Sequence, residues 1–117
     1  IEIIRPNKDG NFVTTANEFN SKEMKKFNNY EVDNWKAEER YLVAYNTLKN
    51  SKNNYSFDLI KDILSGKYGF MCQYDRKTDA DTVWSVIYDI KNNTINRVEG
   101  NPRRKNFKID NRLKFTK

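Results

Sequence analysis

The chain of 117 residues contains no histidine and a single cysteine, Cys72. The first absence excludes a Ser-His-Asp triad, a Cys-His pair and any histidine-held metal built from this chain alone. The second excludes an internal disulfide, and the cytoplasm is the expected location rather than the secretory route. Apolar residues are scarce, at 37%. No run of them approaches the ~20 residues that cross a bilayer. The opening "IEIIRPNKDG" has no basic-then-apolar leader pattern. It starts at Ile1 rather than Met, so a longer parent chain is expected.

Two features offset these scarcities. Aromatic residues make up 14% of the chain, and buried rings carry large apolar areas. The net charge is +6, which raises the prospect of an anionic partner. The positive charges are scattered, however. The one dense cluster, Arg103, Arg104, Lys105 and Lys108 in "NPRRKNFK", follows the last expected strand and reads as a solvated tail, with a phosphate-contacting patch as the alternative.

The hydrophobic pattern gives the order β-β, α-α, β-β. Ile1 to Ile4 reads as a strand end, Asn7 to Gly10 as a hairpin turn, and Asn11 to Phe19 as the return strand. Ser21 caps a single helical turn that Asn28 and Asn29 break. Asp33 or Asn34 caps a first long helix, with Ala37, Tyr41, Ala44, Tyr45 and Leu48 on its buried face. Ser56 caps a second helix that runs to Leu64 and stops at Gly66. "GFMCQYD" reads as a short extended segment and "RKTDAD" as a loop. Thr82 to Glu99 forms a hairpin turning at Lys91-Asn92-Asn93, with Trp84 against the helices. The fold class is therefore α+β, with antiparallel hairpins and two helices. Residues 1–117 are expected to be one domain, or a fragment of a longer chain.

Few residues point to chemistry. Asp79, Asp81 and Asp89 lack regular ligand spacing and read as solvated loop acids. Cys72 lies in an apolar stretch with no base at hand and reads as a structural thiol; Ser85 lies within a strand. Trp84, Tyr88, Phe70 and Tyr74 read as core rings rather than a nucleic-acid stacking surface. Asn17 ends a strand, where an amide either opens a loop or donates into a cleft. Arg40 borders the buried helical face, where a guanidinium either snorkels or reaches inward to hold an oxygen.

Taken in order, "NFVTTANEF", "ERYLVAYNTL" and "GFMCQYDRKTDADTVWSVIYDIKNNTINRVEGNP" resemble the C-terminal third of the linear-amide hydrolases with an N-terminal nucleophile. That family includes the choloylglycine (bile-salt) hydrolases and the penicillin-forming acyltransferases, and the acyltransferase-like branch resembles this chain most. The resemblance implies an αββα sandwich, of which this chain is a C-terminal portion. It implies an N-terminal cysteine that attacks an amide carbonyl with its own α-amino group as base, which suits a chain without histidine. That cysteine would lie upstream of Ile1, so the fragment alone is expected to be inactive.

By the same resemblance, Asn17 matches the asparagine that helps hold the oxyanion, although the preceding family threonine is Ala16 here. Arg40 matches the arginine supporting the nucleophile's surroundings. Thr82, Ser85 and Asp89 match the closing strand, and Cys72 matches a cysteine that is not the nucleophile. No cofactor and no metal are implied. The expected partners are a small-molecule amide or acyl donor and the missing N-terminal part of the same protein. Self-association through exposed strand edges is a further expectation; a membrane or a nucleic acid is not. The alternative is a stand-alone α+β binding module for an anionic partner, without catalysis.

Overall fold

The computed structural model describes residues 3–6, 8–31, 35–72, 74–75 and 79–112. The chain divides into two compact units, Ile1–Tyr55 and Ser56–Lys117. Among the described residues, no helix is long and apolar enough to cross a membrane.

The first unit is built on helix α1, Ala37–Asn50. Its N-cap is Lys36, which has no side-chain cap bond, and both Trp35 and Lys36 sit at φ 54°. The expected caps Asp33 and Asn34 lie outside the described residues. Ala37 and Leu48 are buried, and Tyr41, Ala44 and Tyr45 are half-buried, as the helical spacing predicts. Tyr41 and Tyr45 stack with centroids 5.7 Å apart, and Phe12 meets Tyr45 edge-on at 5.4 Å.

Phe12 belongs to a segment that departs from expectation. From Asn11 to Glu18, exposed and half-buried side chains alternate, as in a strand, yet the segment carries no ladder. Ile3 and Ile4 are not strand either, and Ile1, Glu2 and Asn7 lie outside the described residues. Among the described residues, the expected N-terminal hairpin is therefore corrected to an extended segment in which Gly10 alone makes a β-bridge. Pro6 offers no N–H for such pairing. Side chains hold the segment instead. Tyr45 donates to the Asp9 carboxylate, and Lys49 lies 3.3 Å from it. Together they hold the Asp9 carboxyl below its ordinary range, the Tyr45 hydroxyl most strongly. Gly10 sits at φ 152°, where a Cβ would come within 2.7 Å of the Tyr55 hydroxyl, so this turn requires glycine.

After the extended segment, Ser21 accepts bonds from Met24 and Lys25 and starts a 3-10 turn, Lys25–Phe27. The Asn28 side chain then pairs with the Phe19 peptide, accepting its N–H at 2.8 Å and donating to its carbonyl at 2.9 Å. A side-chain amide here does what a neighbouring strand would do.

The second unit opens with helix α2, Phe57–Leu64, capped by Ser56 Oγ accepting from Leu59 N at 3.1 Å. Gly66, at φ 75°, ends it by donating to Ile63 O. Strands β1 (Tyr74–Asp75) and β2 (Ala80–Asp81) pair antiparallel, so part of the expected "RKTDAD" loop is strand. Strands β3 (Trp84–Asp89) and β4 (Thr94–Glu99) form the expected hairpin in the register Trp84↔Glu99 to Asp89↔Thr94. Asn93 takes φ 53° in the turn, and Asp89 accepts from Asn92. Strand β5, Lys108–Ile109, adds to β4, so the basic cluster expected to be a tail runs into the sheet.

Helix α2 packs on β3. Ile63, Ile87, Ile95 and Val98 are buried. Trp84, expected against the helices, is 51% exposed, and Tyr88 is 57% exposed. The pairing explains this. Trp84 and Tyr88 share one face of β3, where across the ladder only Ile95 is buried beside Arg97 and Glu99, while Ile87 lies on the other face with Val98. The Arg97 guanidinium lies 5.0 Å over the Trp84 ring, so the exposed indole has a cationic cover. Tyr74, also expected in the core, is exposed beneath Arg104, while Phe70 is half-buried.

The chain leaves β4 through Gly100-Asn101-Pro102. Gly100 N donates to Val83 O at 2.6 Å. Asn101 is buried; its Nδ2 donates to Asp81 at 2.7 Å and its Oδ1 accepts from Arg103 N at 2.9 Å. Arg104 also reaches Asp81. This amide ties the sheet exit to β2. Asn101→Ala is expected to cost about 1–3 kcal/mol in urea unfolding, since it strips bonds from a buried site. Asn101→Asp should cost more, because it sets a second carboxylate against Asp81.

Candidate active-site residues

The two residues singled out for chemistry, Asn17 and Arg40, lie in the same unit and touch. Arg40 Nη2 donates to Asn17 Oδ1 at 2.8 Å. Its Nε donates to the Trp35 carbonyl, also at 2.8 Å. One planar guanidinium thus holds both the entry of α1 and the extended segment. The left-handed pair Trp35-Lys36 is costly for residues with a Cβ, and the Nε bond helps fix it.

The Arg40 contact determines how the Asn17 amide faces. A guanidinium has donors and no acceptor, so the Asn17 atom it meets must be the carbonyl oxygen. The Nδ2 group is turned the other way. Asn17 is exposed, and Nδ2 makes no hydrogen bond among the described residues. A charged donor on Oδ1 also polarises the amide and strengthens Nδ2–H as a donor. The result is an oriented N–H pair without an acceptor, on a residue anchored through its oxygen.

Asn17 lines a concavity of about 410 Å³ between the Thr15–Phe19 segment and Phe27, Asn28 and Asn29. Arg40 is not in its lining, so it stands behind Asn17 rather than beside the opening. The Asn28–Phe19 pairing forms part of the wall. Sequence reasoning missed Asn28 because an Asn-Asn pair reads as a helix breaker. It also missed Trp35, whose backbone carbonyl leaves no sequence signal.

The remaining sequence candidates lie in the second unit. Cys72 is half-buried, and its thiol donates to Leu64 O at 2.8 Å. Burial pushes its pKa up, only partly offset by the Arg103 backbone N–H. Such a thiol is a poor nucleophile at neutral pH. Ser85 is half-buried within β3. Asp81 and Asp89 are engaged by Asn101 and Asn92, and no cluster of metal-ligating side chains exists among the described residues. In native protein Cys72 should react with an aromatic disulfide reagent at least about tenfold slower than in urea. Equal rates would contradict the structural role.

Neither a curated protein nor a solved structure matches this sequence. A family description does. The model of the acyl-coenzyme A:6-aminopenicillanic acid acyl-transferase family matches residues 2–104, a span holding Asn17, Arg40, Cys72 and the Gly100-Asn101-Pro102 exit. The likeness read from the motifs and their order is thereby established at the level of the family, whose fold is that of the N-terminal-nucleophile hydrolases. The chain belongs to the acyl-coenzyme A:6-aminopenicillanic acid acyl-transferase family.

Proposed function

We propose that these 117 residues are the C-terminal part of a cysteine amidase or acyltransferase, acting on non-peptide amide C–N bonds. In this reading Asn17 is an oxyanion donor and Arg40 the positioning residue that holds it. The observation that carries it is the Arg40–Asn17 bond, which leaves Nδ2 turned outward as a donor. The nucleophile would be a cysteine elsewhere in the complete protein. Cys72 does not suit the task, because its thiol is spent on Leu64 and its pKa is raised. The alternating, ladder-free segment from Asn11 to Glu18 suits a strand that the rest of the protein completes.

The steps follow from ordinary acyl transfer. The thiolate attacks the carbonyl carbon, a C–S bond forms, and the carbonyl oxygen takes the negative charge. Asn17 Nδ2–H donates to that oxygen, a contact stronger in the transition state than in the ground state. Collapse breaks the C–N bond and expels the amine with a proton, leaving a thioester on the cysteine. Water then completes hydrolysis, or a second amine completes transfer. The family's name joins an acyl-coenzyme A to an amine. For this chain the corresponding substrates are a small-molecule acyl donor and an amine acceptor.

The test uses the complete protein. Asn17→Ala is expected to lower kcat by about 10²–10³ with little change in KM. Arg40→Ala should lower kcat as well, and the double variant should be no worse than Asn17→Ala, because both act through one donor. Losses that multiply would place Arg40 on a different atom. An unchanged kcat in Asn17→Ala would end the proposal.

A further inference from the structure

A second and larger concavity, about 650 Å³, lies wholly within the second unit, against β4 and β5. Its charged lining consists of Arg97, Glu99, Lys105, Lys108, Asp110 and Arg112, four cations against two carboxylates. The carboxylates are already committed to the arginines. Glu99 lies 2.7 Å from Arg97 Nε and 3.6 Å from Arg112. Asp110 is buried and takes two bonds from Arg112, at 2.9 and 2.8 Å, which draw its pKa down to about 2. Lys105 and Lys108 have no carboxylate partner among the described residues.

We infer that this pocket binds a phosphate-bearing anion between Lys105 and Lys108. Two exposed ammonium groups without a carboxylate partner line one concavity whose charge balance is positive, and such a wall attracts a multiply charged anion. The Arg112 fork already grips Asp110, so its bidentate geometry, which serves carboxylate and phosphate alike, is taken. The ammonium groups that remain are point charges with rotating donors, whose pull grows with the charge on the ligand and so favours a polyanionic phosphate group. Asn106 and Asn111 add neutral amides to the same wall.

The placement of Lys105 is built into the fold. Its backbone N–H donates to Asn101 O at 3.1 Å. Its side chain lies across Gly100, so close that a Cβ on Gly100 would sit 3.1 Å from Nζ and 3.2 Å from Cδ. Glycine at φ 98° thus admits both the turn and the overlying lysine. The family match stops at residue 104, so both lysines lie beyond it. The inference is independent of the chemistry proposed at Asn17.

The experiment is titration calorimetry at low ionic strength with inorganic pyrophosphate, ADP and citrate. One-site binding of pyrophosphate is expected, with citrate markedly weaker. ADP tighter than pyrophosphate would place the phosphate on a nucleotide; equal affinity would assign the site to inorganic phosphate groups. Lys105→Gln with Lys108→Gln should weaken pyrophosphate binding by about tenfold or more. Lys22→Gln with Lys91→Gln, two exposed lysines elsewhere, should change it by less than about twofold. Circular dichroism would check that both pairs fold. No pyrophosphate binding, citrate as tight as pyrophosphate, or equal weakening in the control pair would overturn the inference.

Discussion

The first unit is organised around one guanidinium. Arg40 joins the carbonyl that precedes α1 to the amide of Asn17, two points far apart in sequence. The extended segment has no ladder to set its position, so side chains carry that task. Asp9 is held by Tyr45 and Lys49 on α1, Phe12 rests on Tyr45, and Asn17 is held by Arg40. The segment therefore runs antiparallel to the helix. A neutral bridge could orient Asn17 either way, whereas a donor-only cation permits one orientation.

The second unit uses the same economy with the signs changed. There a carboxylate, Asp81, gathers Asn101, Thr82 N and Arg104, and so joins β2 to the exit from β4. These bonds hold its carboxyl below the ordinary range, with Asn101 the largest contributor. Gly100 and Pro102 then set the turn that presents Lys105 to the second concavity. What looks in sequence like a stop signal is a structured corner.

Periodicity made the helices legible. Ser56 and Gly66 bracket α2 as their chemistry predicts, and the α1 stripe ends in buried Leu48. The β3–β4 hairpin was legible from alternation and its Asn-rich turn. Alternation does not say which face is covered, however, and an aromatic stripe is a poor guide when one helix packs on one side. The size of Trp84 and Tyr88 suggests the core, but the buried residues of the hairpin are Ile87, Ile95 and Val98. Alternation from Asn11 to Glu18 marks extended chain but not a paired strand, because pairing depends on a neighbour that local pattern cannot supply. Two-residue β5 was too short to announce itself. The family resemblance places Asn17 and Arg40 at one site, but nothing in their spacing foretells the bond between them.

The proposed role of Asn17 depends on the direction of one amide. The most direct measurement is a crystal structure of the complete protein with a tetrahedral adduct trapped on its nucleophile. Asn17 Nδ2 is expected about 2.7–3.1 Å from the adduct's oxyanion, with Oδ1 still on Arg40. An adduct whose oxyanion is held by other donors, with Asn17 turned away from it, would contradict the account.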